Sequence, residues 1–168
     1  MKPVHACDHT AILAQGGGVF QSLPNANSAT NSLLLAHVNG PIVWGEGLLD
    51  LKCIQNCGFK TLDCVLQELS IPSIDILKLD VQGAEPLVLK GALGACAKRS
   101  IEIVYTEIIL QDTYVGQKRF EEVLSYFHDA GFSLYNVYNL ISSPNGSLCQ
   151  LDAVFTRKEP DSFSATCG

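Results

Sequence analysis

The stretch IDILKLDVQGAE, residues 74–85, decides the fold. Ile74, Ile76, Leu77, Leu79 and Val81 are apolar in both alternating registers, as in a strand covered on both faces, so residues 74–81 read as a central parallel strand. From Ala84 the apolar period becomes helical. Ala84, Leu87, Val88, Gly91, Ala92 and Ala95 share one stripe, and Pro86 falls in the first turn, where its missing N–H is not needed. Gly83 lets the backbone turn sharply between strand and helix, and Asp80, Gln82 and Glu85 surround that turn.

Upstream, TLDCVLQEL at 61–69 places Leu62, Val65, Leu66 and Leu69 on one helical face, with Thr61 as N-cap and SIPS as the break that follows. Downstream, SIEIVYTEIIL at 100–110 reads as a second buried strand through Ile101, Ile103, Val104 and Tyr105, with Glu107 near its carboxyl end. A helix from Gln117 to Ala130 turns Phe120, Val123, Leu124 and Phe127 inward and stops at Gly131. FSLYNVYNLISS and SLCQLDAVFTR flank the Pro144-Asn145-Gly146 turn signal and predict an antiparallel hairpin, in which Asp152 makes a structural hydrogen bond. Closer to the N-terminus, GGGVFQSL and PIVWGEGLLDLKCI read as strands joined by the polar PNANSATNS loop. The order gives an α/β sheet that starts parallel and ends antiparallel.

A chain of 168 residues with 47% hydrophobic content suits one domain and one core. A net charge of −6 argues against a nucleic-acid partner, which needs a basic stripe to release counterions. No apolar run approaches the roughly 18–20 residues that cross a bilayer, and the N-terminus lacks a signal-peptide core, so a soluble, cytoplasmic protein without a membrane partner is expected. The seven cysteines are an odd number without a CxxC pair, which fits reduced, mostly buried thiols.

Ligands of open α/β sheets bind beyond the carboxyl ends of the parallel strands, where Asp80, Gln82, Glu85 and Glu107 fall. The same residues satisfy two readings: an acid cluster for proton transfer, or a helix-start acid and a strand-end cap. Two or three carboxylates could also hold a divalent cation, although their spacing does not demand one. Gly16-Gly17-Gly18 precedes the strand-like VFQSL instead of opening a helix, so it reads as a hairpin turn rather than a nucleotide loop. His5, Cys7, Asp8 and His9 are ligand types without a second cluster to complete a site. Cys53 and Cys57 read as core or loop thiols, and His128 as surface.

IDILKLDVQGAEPLVLKGA, followed by YTEIILQDTYVGQKRFEEVLSYFHDAGFSLYNVYNL and GSLCQLDAVFTRK, resembles the C-terminal half of the FkbM family of S-adenosylmethionine-dependent methyltransferases. The resemblance is strongest over about residues 60–158, and NANSATNSLL resembles the Ser-rich segment that precedes these blocks. It implies a Rossmann-like methyltransferase sheet, mostly parallel with a C-terminal antiparallel hairpin. It also implies S-adenosylmethionine as cofactor and methylation of a hydroxyl on a sugar or small-molecule scaffold. Asp80, Glu85 and Glu107 would be catalytic, Asp80 and Gln82 would touch the cofactor, Ser32 and Tyr114 would touch the acceptor, and no metal is called for. The family's glycine-rich cofactor turn and the acid ending its second strand have no evident counterpart here. The chain is therefore expected to be an N-terminally truncated, incomplete domain over residues 1–158 with a loose tail at 159–168. The alternative is a truncated or degenerate non-catalytic domain that acts as an interaction module or represents a gene fragment. Either way, an exposed sheet edge would favour self-association.

Overall fold

The computed structural model describes residues 11–12, 18–22, 31–40, 44–52 and 55–158, and its strands fall into two sheets. The smaller sheet has the order β1-β3-β2, from β1 (Ala11–Ile12), β2 (Gly18–Ser22) and β3 (Gln55–Lys60). The larger contains β4 (Ile74–Leu79), β5 (Ile101–Ile109), β6 (Phe132–Ser142) and β7 (Leu148–Arg157), in the order β4-β5-β7-β6. Among the described residues four helices are placed in full along the chain: α1 (Leu62–Glu68), α2 (Glu85–Lys90), α3 (Leu93–Ala97) and α4 (Phe120–Asp129). The expected loose tail at 159–168 and the His5 to His9 cluster lie outside the described residues.

Parallel pairing joins β4 to β5, whereas β7 runs antiparallel to both β5 and β6. The large sheet is thus mixed rather than mostly parallel. Its register sorts side chains by face. Leu77 and Leu79 of β4, Val104 and Ile108 of β5, and Leu151, Ala153 and Phe155 of β7 join Leu62, Leu66, Val88, Leu89, Ala95, Val123 and Phe127 of the helices in one core. The opposite face presents Ile76, Lys78, Tyr105, Glu107, Gln150 and Asp152. Among the described residues all four helices contribute to the core on the first face only.

This arrangement corrects the reading of β4 as a central strand covered on both sides. Among the described residues it pairs with β5 alone, and Ile76 is 63% exposed. Periodicity cannot separate an edge strand with apolar residues in both registers from a central one, since the difference lies in what pairs beside it. The helix expected from Ala84 through Ala95 is also interrupted, at Gly91 and Ala92. The Asp63 carboxylate of α1 accepts the N–H groups of Gly94 and Ala95, each at 2.7 Å, and so caps a new helix from another element. Residues 46–49 form turns instead of the strand expected within 41–54, and Leu69 is 57% exposed just past α1.

Other local expectations hold. Thr61 Oγ1 accepts the Cys64 N–H at 3.1 Å as the cap of α1. Gly131, at φ +87°, ends α4, and Gly146, at the same φ, lies in the turn of the β6–β7 hairpin. Arg157 fastens the helical layer to the sheet. Its Nε donates to the Ile101 carbonyl at 2.5 Å, its Nη1 to that of Ala130 at 3.3 Å, and its guanidinium lies 4.1 Å from the centre of the Phe132 ring.

The centre of the core is aromatic. Phe127 stacks on Phe155 at 3.9 Å between ring centres and meets Phe132 edge-on at 6.4 Å, and none of its surface is exposed. Phe127→Ala should lower unfolding free energy by about 3–5 kcal/mol in urea titration. A loss below about 1 kcal/mol would mean that the ring is not the centre of packing.

Candidate functional site

The turn from β4 into α2 uses two successive left-handed residues, Gln82 at φ +52° and Gly83 at φ +88°. Glycine adopts that geometry freely, but glutamine there costs on the order of 1 kcal/mol and needs support from its surroundings. The support is visible. Gln82 Nε2 donates to Asp80 Oδ1 at 3.2 Å and to Glu107 Oε2 at 2.7 Å, while its Oε1 accepts the Tyr114 hydroxyl at 3.0 Å. Its main-chain carbonyl accepts Ser32 Oγ at 2.8 Å. One strained residue therefore gathers Asp80, Glu107, Tyr114 and Ser32, all picked out from sequence.

A strap of chain holds Ser32 and Tyr114 in place. His37 N donates to the Thr113 carbonyl, and Val115 N to that of Leu35, each at 2.8 Å, on either side of a bridge between Ala36 and Tyr114. Trp44 Nε1 donates to Thr113 Oγ1 at 2.8 Å. Leu49, Ile109 and Tyr114 form a second small core with Leu34 and Trp44, closing the carboxyl end of β5 on the face away from the helices. Gln117 shapes the loop beneath. Its Nε2 donates to the Ile109 carbonyl at 2.8 Å and its Oε1 accepts the Tyr114 N–H at 3.2 Å.

Glu107 is half-buried, and its second carboxylate oxygen accepts from Gln150 Nε2 on β7. Burial first, then the nearby Asp80 charge, push its pKa up, while the Gln82 hydrogen bond works the other way. Asp80 is more open and pairs with Lys78 at 3.1 Å. Asp152 stands directly opposite Glu107 in the β5–β7 ladder. It accepts from the Tyr105 hydroxyl and, at 2.6 Å, from Asn139 Nδ2, which is the structural hydrogen-bonding role expected of it. Asn139 is itself left-handed, at φ +49°, where the β6–β7 register shifts.

Gln150, Gln117 and Asn139 were not singled out in the sequence. The signal for Gln150 is the alternation in LCQLDAVF, which puts Gln150 and Asp152 on the same side of β7 and, once register is known, beside Glu107. Among the described residues no group of three His, Cys, Asp or Glu side chains is placed to hold a metal ion, so the acid cluster does not form a cation cage. Cys53 and the Cys57 side chain lie outside the described residues, while Cys96 and Cys149 are buried free thiols and Cys64 is an exposed one. His128 is at the surface, as expected.

Glu85 stands apart from the open cluster. It is 5% exposed, and its Oε1 accepts the Gly83 N–H at 3.2 Å, so it braces the strand-to-helix turn from inside. Burial raises its pKa from 4.5 to about 7 against the opposing effect of backbone N–H donors. The folded chain therefore holds a proton here that the unfolded chain releases above pH 4.5. Stability from this group is complete below that pH and is lost as pH rises through about 7, by about 3 kcal/mol in all. Urea unfolding across that range should show the decline, and Glu85→Gln should flatten it. A wild-type curve that is level between pH 4.5 and 7.5 would contradict the assignment.

The Methyltransferase FkbM domain matches residues 8–134 of the chain. No curated protein and no solved structure matches it at a significant level. The matched region takes in Ser32, Trp44, the Gln82 turn, Glu107 and Tyr114, and ends just inside β6, before Gln150 and Asp152. By that match the chain belongs to the FkbM methyltransferase family.

Proposed function

We propose that this chain transfers a methyl group from S-adenosylmethionine to a hydroxyl of a sugar or other small-molecule scaffold, with Glu107 receiving the hydroxyl proton. The observation that carries the reading is the Glu107 carboxylate: half-buried, raised in proton affinity, and held at both oxygens by carboxamides.

The donor set at the turn suits the cofactor's positive charge, because Asp80 and Glu107 offer carboxylate oxygens and Gln82 a neutral polar bridge between them. Asp80 and Gln82 would hold that end of the cofactor. The described residues contain no glycine-rich strand-to-helix loop for the cofactor; Gly18 opens β2, while Gly16 and Gly17 lie outside the described residues. S-adenosylmethionine supplies a methyl group already activated as a sulfonium. What remains for the protein is to align the acceptor oxygen and take its proton. Ser32 and Tyr114, brought to the same turn by the strap, orient the acceptor, and Asp80 assists. Glu107 is better suited than Asp80 to receive the proton, since its partial burial moves its pKa toward neutrality.

Calorimetry with S-adenosylmethionine, combined with transfer of labelled methyl to a panel of methyl glycosides, tests the reading. Glu107→Gln should cut transfer by about 10²–10⁴-fold while leaving cofactor affinity within a few fold. Activity should rise with pH through the elevated Glu107 pKa, because only the carboxylate accepts a proton. Absence of cofactor binding would sink the proposal in favour of a non-catalytic interaction module.

Self-association through the β4 edge forms part of the same proposal, because Ile76 is exposed on β4, which pairs only with β5 among the described residues. Sedimentation velocity should show a dimer that Ile76→Lys shifts to monomer. A monomeric wild type at tens of micromolar removes this part.

A further inference from the structure

Gln150 lies on β7, opposite Ile109, on the sheet face away from the helices. Its Nε2 donates to Glu107 Oε1, while Gln82 Nε2 reaches Glu107 Oε2 at 2.7 Å from the other side. The two donors are not equivalent. Gln82 divides its amino group between Glu107 and Asp80, whereas Gln150 Nε2 donates to Glu107 alone among the described residues.

The charges around Glu107 explain why such donors are needed. Asp80 and Lys78 face it from β4 and the residue after it, Asp152 from β7, Tyr105 from its own strand, Tyr114 from the following loop, and Glu85 from α2. Asp152 is its direct cross-strand partner, and like charges in that position repel. Lys78 is the cation of the group, and it is exposed and bonded to Asp80. The remaining stabilisation of a Glu107 carboxylate comes from neutral N–H donors, which hold negative charge without changing the net charge.

Geometry matters as much as charge. A carboxylate pinned at one oxygen can swing about its side-chain torsion, but pinning both oxygens, one from the β4–α2 turn and one from β7, fixes its plane. Each oxygen still has a lone pair for an incoming hydroxyl proton.

We propose that Gln150 is a positioning residue for methyl transfer: its carboxamide, paired with that of Gln82 across the carboxylate, fixes the plane of Glu107 and keeps it ionised. The inference rests on the reading of Glu107 as proton acceptor. It extends the site to β7, beyond the region matched by the family.

The test uses the full chain carrying ¹³C-labelled glutamate, with the Glu107 carboxyl signal assigned by its loss in Glu107→Gln. Gln150→Met keeps length and volume but removes the donor. It should raise the Glu107 titration midpoint by about one pH unit and move the acid limb of kcat/KM by the same amount, with S-adenosylmethionine affinity unchanged. An unmoved Glu107 titration in folded Gln150→Met overturns the inference. A titration that moves while the rate profile stays put upholds the clamp and overturns Glu107 as proton acceptor. Should Gln150→Met fail to fold, Gln150→Asn, polar but too short to reach, allows the same measurement with the same outcomes.

Discussion

A carboxamide can donate to two acids and never ionise, which is why Gln82 can stand between Asp80 and Glu107 without adding to their repulsion. Most of the site depends on that bridge. Removing it would leave a left-handed turn residue without those contacts and two carboxylates facing each other. The turn in turn depends on Gly83, whose φ of +88° a residue with a Cβ would adopt only under strain. Backbone strain and polar contacts here compensate one another, so neither is intelligible alone.

The division of labour between the sheet faces follows from the same constraint. One face is closed by four helices around the Phe127, Phe132 and Phe155 cluster, which fixes strand register well enough for side chains on the other face to meet within hydrogen-bond distance. On that other face lie Tyr105, Glu107, Gln150 and Asp152, and a one-residue slip of β7 would take Gln150 and Asp152 into the core. The placement of the polar row is thus as strongly specified as the core, because both are set by one register.

Much of the fold is legible in local pattern. The strand at 74–79, the Thr61 cap, the Gly131 stop and the turn at Pro144-Asn145-Gly146 are decided by residues near each other in the chain, and the structure has them. What was not legible depends on distant partners. The break at Gly91 and Ala92 accompanies capping of α3 by Asp63, thirty-one residues from Gly94. The edge position of β4 depends on what pairs beside it, and the Trp44 and Leu49 segment reads as a strand until it is seen closing over Ile109. At the site, Asp80, Gln82, Glu107, Ser32 and Tyr114 were found through the turn and the resemblance. Gln150 was invisible because its nearness to Glu107 exists only once the hairpin folds back onto β5.

Glu85 and Glu107 show why a raised proton affinity does not by itself mark a base. Burial lifts both, yet the Glu85 carboxyl is 5% exposed and turned to the backbone N–H groups of its own turn, where no substrate hydroxyl can reach it. Its titration is therefore felt as stability. Glu107 is half-open, held by side chains instead of backbone, and lies at the carboxyl end of β5 beside the strap that carries Ser32. Its titration is available to chemistry. Of two acids shifted in the same direction for the same leading reason, access alone separates the one that acts on the fold from the one proposed to act in the reaction.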